Sequence, residues 1–197
     1  MLFHTPWFYV SRAMPQAFIS RVQVRAATPA DAEAIIHVHY AAVHKLASAF
    51  YPPEIIEAWS RKPDEARYQW MRQMITKGDE IVVVAEAESG VVGFGLMIPK
   101  SRDLRALYVH PAAGRQGIGR KILQALETRA VAEGLSGLQL IASLNAQAFY
   151  QCHGYKALSH GSLQLSSEHK MDCIKMEKIF DEGGIQSNPL PALTASP

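Results

Sequence analysis

The chain has 197 residues, 48% of them apolar and 19% charged, with a formal net charge of +2. This length suits one ordinary domain that buries about 70% of its unfolded surface without help from disulfides or metal. The composition excludes a largely disordered chain, and the charge gives no argument for a nucleic-acid partner. No run of about 18 apolar residues is present, so no membrane partner is expected. The two cysteines, Cys152 and Cys173, show no CxxC or Cys/His spacing. Neither a disulfide framework nor a metal site is expected, and a reducing cytoplasm is the expected compartment.

Residues 1–21 carry no acid, and their apolar stretches are interrupted by Pro6 and Pro15. They fit a secretory leader poorly and read as an N-terminal extension, with Met14 a later candidate start. The working domain is expected over 22–180. Residues 181–197, rich in Gly, Ser, Asn and Pro, read as a flexible tail.

Within 22–180, Val22–Ala27 alternates like a strand. Thr28, Pro29 and Asp31 suit a helix start, and Ile35, Ile36, His39, Val43 and Leu46 share one face of a helix running to about Ser48. Tyr51-Pro52-Pro53 breaks that helix. Short helices follow over Glu54–Ser60 and Asp64–Lys77, the second stopped by Gly78. Glu80–Glu88 and Val91–Ile98 form a hairpin about Ser89-Gly90. Leu104–Val109 is a strand, Gly117 to about Glu133 a helix ended by Gly134, and Leu138–Ser143 a strand. A helix over Asn145–His153 and strands over Tyr155–Leu158 and Met171–Lys178 complete the chain. The order is mixed α/β, without the strict alternation of a doubly wound sheet.

The densest signal is LYVHPAAGRQGIGRKIL, Leu107–Leu123. A strand ends at His110-Pro111, and a glycine-rich turn opens an amphipathic helix. Gly117 and Gly119 allow close approach to the backbone, and the free N–H groups of a helix start favour an anion. Arg115, Arg120 and Lys121 add charge. Over Lys100–Arg129 seven Lys/Arg stand against two acids, a local +5 in a chain of +2. The loop lacks the Lys-Ser/Thr pair of a Walker A motif, and Ile122 takes the third glycine position of a dinucleotide fingerprint. It resembles the acyl-CoA pyrophosphate loop of the GNAT superfamily of N-acetyltransferases, [Q/R]xxGx[G/A]. Gly117 and Gly119 match the two small positions. Gly114 stands where Gln or Arg is usual, and Arg115 and Gln116 follow it.

A second segment, SLNAQAFYQCHGY over Ser143–Tyr155, resembles the superfamily's Asn…Ala…Phe-Tyr…Gly-Phe stretch. Asn145 is suited to cap the helix. Tyr51–Trp59, LRALYVHP and the closing CIKMEKIF are similar to a bacterial group of YafP-like acetyltransferases. The resemblance implies a central mixed, mostly antiparallel sheet flanked by helices, with acetyl-CoA as co-substrate. The implied reaction is transfer of an acyl group, acetyl above all, to a primary amine on a small molecule or peptide, by direct attack in a ternary complex. It also implies roles for single residues. Tyr150 holds the position of the general acid that reprotonates the leaving thiolate. The strand ending at Val109 carries a bulge, with the backbone of Leu107, Tyr108 and Val109 facing the thioester and pantetheine. Gly114, Arg115, Gln116, Gly117, Ile118, Gly119 and Arg120 cradle the pyrophosphate, and Asn145 also contacts the cofactor.

Asp103 falls near the place of the usual Glu base, one methylene shorter. It reads equally as a base acting through water and as a solvated strand-end acid paired with Arg102 or Arg105. His39 reads as a satisfied core histidine and His44 as a surface group. Tyr40, Tyr51 and Trp59 lie where the family shapes its acceptor pocket, but aromatics near Pro-Pro also serve local packing. Cys152 reads as a small buried residue. Dimers are common in the family, so a homodimer is within expectation. The competing functional reading is a catalytically inactive acyl-CoA sensor on the same fold, fed by Gly114 and by the short acid Asp103.

Overall fold

The structure, a computed structural model, describes residues 22–180. The expectations for 1–21 and 181–197 lie outside the described residues. A seven-stranded sheet runs in the order β1-β2-β3-β4-β5-β7-β6. Its strands are β1 Gln23–Ala26, β2 Ile81–Ala87, β3 Gly90–Ile98, β4 Asp103–Val109, β5 Gly137–Ser143, β6 Lys156–Gln164 and β7 Lys170–Ile179. Only the β4–β5 pair is parallel. The helices are α1 Ala32–Ala42, α2 Pro53–Trp59, α3 Glu65–Lys77, α4 Ile118–Ala132 and α5 Gln147–Gln151. Among the described residues no helix is long and apolar enough to cross a membrane.

Two cores follow from the alternation of the strands. Val82, Val84, Phe94 and Leu96 face α1 and α3, whereas Val83, Ala85 and Met97 face α4. Helix α4 buries Ile118, Ile122, Leu123 and Leu126 almost completely, each worth about 1.5–3 kcal/mol over exposure. It sits unusually close to the sheet. A Cβ on Gly95 would lie 2.6 Å from Ile122 and 2.7 Å from Leu126, and one on Gly93 would lie 2.9 Å from Ile122. The bare backbone of β3 thus sets the depth of α4 and, with it, the position of the loop before α4.

The single helix expected to reach Ser48 is divided. Regular α-helix stops at Ala42, and Val43–Ala47 forms a wider π turn. Val43 and Ala47 thereby reach a third cluster with Tyr51, Ile55, Ile56 and Met171, which seats α2 over the middle of the sheet. The other correction is β6, expected as a four-residue strand. It extends through Gln164 because β7 offers it pairing as far as Lys170. Every residue of β6 is exposed.

Candidate active site

Strands β4 and β5 part almost at once. Asp103 pairs with Gln139 and no further register pair joins them. The β5-facing backbone of β4 beyond that point is left without a strand partner, and a V-shaped cleft opens. On its β3 side β4 carries the expected bulge. Leu96 pairs with Ala106 and Met97 with Leu104, so Arg105 is the extra residue. The bulge resets the alternation. Leu104, Leu107 and Val109 face the α4 core, while Ala106 and Tyr108 face the α1 side. A cavity of about 550 Å³ fills the cleft, and Asp103, Ala106, Leu107, Tyr108, Trp59 and Tyr150 are among its lining residues.

The glycine loop lies at one end of β4. His110 Nδ1 accepts a hydrogen bond from the Ala112 N–H at 3.3 Å. Arg115 and Gly117 both hold left-handed backbone, at φ 63° and 75°, a curl of the kind that makes anion-binding concavities. Gly117 is the N-cap of α4 and supplies no side-chain cap. The first internal bond of α4 runs from the Lys121 N–H to the Gly117 carbonyl. The N–H groups of Ile118, Gly119 and Arg120 therefore precede the ladder. A Cβ on Gly117 would meet nothing within 4 Å, whereas one on Gly119 would lie 3.3 Å from the Phe149 ring. Gly117 is thus a conformational requirement on an open surface, and Gly119 is a packing requirement against α5. Ile118 is turned into the core, so only its backbone faces the loop. The Arg115 and Arg120 side chains are exposed, Gln116 and Gly114 less so. Gly114, at φ −64°, needs no glycine backbone.

Asn145 does not cap α5. It lies in the 3-10 turn before that helix, and Ala146 occupies the cap position. The Asn145 Oδ1 is instead buried with no hydrogen-bond partner among the described residues. A buried orphan acceptor costs about 1–3 kcal/mol, and together with the open curl at Gly117 it fits a bound group that brings its own N–H donors and its own anion. A pantetheine amide and a pyrophosphate are such groups.

Tyr150 is 7% exposed and lines the cavity, and its phenol makes no hydrogen bond among the described residues. Burial raises its phenol above the ordinary value, with Tyr108 adding in the same direction. Burial likewise pushes the Tyr108 phenol up to about 12, the Trp59 indole acting against it. Asp103 lines the same cavity, and Arg105 Nε donates to its carboxylate at 3.0 Å. Asp103 is thus paired at the strand end, as one of its two readings expects, and it also faces the cleft.

The aromatics around α2 brace the cleft. Tyr51 Oη donates to the Asp172 carbonyl at 2.8 Å and accepts from the Leu144 N–H at 2.7 Å, tying α2 to β7 and to the turn after β5. His39 is the satisfied core histidine expected, its Nδ1 paired with Ser60 Oγ at 2.9 Å. Desolvation, then Arg67 and His44, lower its pKa to about 4. His44 is less free than expected, with its Nε2 2.8 Å from the Ser60 carbonyl and its ring 4.0 Å from Tyr40. Cys152 is exposed, because the short α5 ends at Gln151 and leaves it in the turn that follows. Among the cavity residues not foreseen are Ile141 and Ala142 on β5, Leu163 on β6 and Met171 on β7. Alternation within β5 and β7 marks which side chains share a face. Only the register places those faces at the cleft.

A sheet split between two parallel strands, with a glycine-curled helix start at the split, defines an acyl-CoA-binding acetyltransferase fold. The model of the acetyltransferase (GNAT) domain matches residues 48–180, and the chain belongs to that family. It is 27% identical over 140 residues to the uncharacterized N-acetyltransferase YafP of Escherichia coli, covering 71% of this chain and 85% of YafP. Among solved structures, a GCN5-related N-acetyltransferase from Rhodopseudomonas palustris superposes with a TM-score of 0.72 at 25% identity, over 81% of this chain and 96% of that one. PaiA N-acetyltransferase from Thermoplasma acidophilum, in complex with coenzyme A, gives 0.67 at 21% identity, over 81% and 99%. A third, yncA from Salmonella typhimurium with acetyl-CoA, gives 0.60 at 22%, over 86% and 99%. The last two show likeness of fold.

Proposed function

We propose that the protein transfers acetyl from acetyl-CoA to a primary amine of a small molecule or peptide, by direct attack with both substrates bound. The observation that carries this reading is the β4–β5 cleft, where Asp103 and Tyr150 line one cavity. The N–H groups of Ile118, Gly119 and Arg120, with Arg115 and Gln116 beside them, would hold the pyrophosphate, and Asn145 and the β5-facing backbone groups of Leu107 to Val109 the pantetheine. Acetyl-CoA supplies the activated acetyl as a thioester.

The residues of the chain then act as follows. Asp103 takes the amine proton, directly or through water, leaving the nitrogen lone pair free to attack. Tyr150 Oη donates its proton to the sulfur as the carbon–sulfur bond breaks. Burial keeps the phenol protonated until that moment, and the same dry surroundings raise the basicity of a thiolate formed beside it. A covalent acetyl-cysteine route has less support. Cys152 is exposed on the turn after α5, and Cys173, in an adjoining trough, has its thiol pushed up by burial, which suppresses the thiolate. The pairing of Asp103 with Arg105 favours the competing reading, an acyl-CoA sensor.

Tyr150→Phe separates the two. The enzyme reading expects kcat to fall about 10²–10⁴-fold in a thiol-release assay while calorimetric acetyl-CoA affinity is retained. Unchanged kcat with retained affinity would remove the acid role, and no turnover by the unaltered protein with any amine would favour the sensor.

A further inference from the structure

The carboxyl-terminal half of the sheet has a second concavity beside the cleft cavity. A trough of about 330 Å³ runs from Asp103 across β5, β7 and β6, lined by Gln139, Ile141, Ser159, Gly161, Cys173 and Lys175 among others. It shares Asp103 and Ile141 with the cleft cavity, so the two adjoin. Among the described residues no helix covers this face: Ile141 is 52% exposed and β6 is exposed throughout.

The trough carries two opposite charges, with neutral β5 residues between them and neutral β6 residues beyond. At its β4 end is Asp103, with Arg105 on one carboxylate oxygen. On β7 is Lys175, which makes no ion pair among the described residues. Lys175 is opposite Ile141 on β5 and opposite Ser159 on β6. Its neighbours along the same face of β7 are Cys173 and Glu177, and Glu177 is opposite Gln139 and Lys156. Asp103 is opposite Gln139, and Lys175 is opposite Ile141, two residues further along β5. Two inter-strand steps and two residues of rise separate their Cα atoms by about 12 Å. The side chains reach into that span.

We infer that the acceptor is an amine carrying a carboxylate at the far end of an aliphatic segment, its amine at Asp103 and its carboxylate at Lys175. A carboxylate and an unpaired ammonium, set apart on one sheet face, match a dipolar ligand in one orientation. Ile141, on the strand between them, suits a short methylene chain. A simple monoamine would leave Lys175 unused, and a diamine would meet it with like charge. This inference rests on the transferase reading, whose cleft it extends.

The test compares 6-aminohexanoate, its amide and 1,6-diaminohexane as acceptors in the thiol-release assay, using the full chain. The expected kcat/KM order is carboxylate, amide, diamine, with the first step about fivefold, the upper range for a solvent-exposed charge pair. Lys175→Met should bring the carboxylate down to the level of the amide. Lys175→Arg should keep the preference, and Lys175→Glu should turn it toward the diamine. Equal use of carboxylate and amide, or an unchanged ratio in Lys175→Met, would overturn the inference. A turnover-independent arm uses saturation-transfer NMR of N-acetyl-6-aminohexanoate on the CoA-loaded protein. Signal that weakens in Lys175→Met supports the trough even if no amine is turned over. Absence of signal with the unaltered protein overturns it. Failure of acetyl-CoA to bind at all, by calorimetry, would instead strike the transferase reading.

Discussion

The two flanks of the cleft are built on different terms. The flank of β2, β3 and β4 is covered on both faces, by α4 on one and by α1 and α3 on the other, with Ile35, Val84, Ile122 and Leu126 wholly buried. The flank of β5, β7 and β6 packs Leu138, Leu140, Ile174 and Met176 against the α4 core, and among the described residues its other face is largely uncovered. A doubly covered half holds backbone groups in place, which an anion cradle and an unpaired strand edge require. A half covered on one side leaves room for a second substrate. The cleft lies where one regime gives way to the other.

The strongest way to break this contrast is at the loop that the covered half positions. Gly117→Glu places a side chain on left-handed backbone and a negative charge at an anion site. Acetyl-CoA affinity should fall by more than about 1,000-fold, roughly 4 kcal/mol, and retained affinity in calorimetry would reduce the loop to a structural turn.

Burial in the covered half also has a pH signature that a bare face lacks. His39 is held near pKa 4, below its ordinary 6.5, so the folded ring stays neutral where the unfolded chain takes up a proton. Its contribution is intact above pH 6.5 and is lost as pH falls toward 4, about 3 kcal/mol in all. Chemical denaturation across that window should show the loss, and His39→Gln should flatten it. An identical slope in the variant would place the titration elsewhere.

At the border of the two flanks, Asp103→Asn should lower kcat about 100-fold with acetyl-CoA affinity unchanged, whereas Arg105→Met should leave kcat within about threefold. Equal losses in both variants would make the ion pair, not the base, the contribution of Asp103. The smallest expected effect is Gly119→Ala. Its Cβ would press on Phe149 at 3.3 Å, costing about 1 kcal/mol of stability with little change in affinity. A loss of affinity as large as that of Gly117→Glu would mean that Gly119 also meets the ligand.

What the sequence made legible follows the same division. The α4 loop and the segment around Tyr150 are continuous stretches, so residue types and spacing within each already carry the chemistry. The elements followed the periodicity well, from β2 to α4. The π turn at Val43–Ala47 escaped it because a helical face looks the same until tertiary packing turns Val43 and Ala47 toward Tyr51. Asn145 was read as a local cap because Asn before a helix usually is one. The fold instead leaves its Oδ1 buried and unpaired among the described residues. Lys175, Ile141 and Leu163 carry no local signature. They meet only because the pairing of β5, β7 and β6 aligns them.

The central claim is that the curl at Gly117 and the split between β4 and β5 form an acyl-CoA site, and calorimetric titration with acetyl-CoA tests it most directly, with free CoA and ATP as comparators. The account predicts micromolar binding of acetyl-CoA, with binding of free CoA and no response to ATP. Absence of heat with either CoA species would contradict it and leave the cleft without its donor substrate.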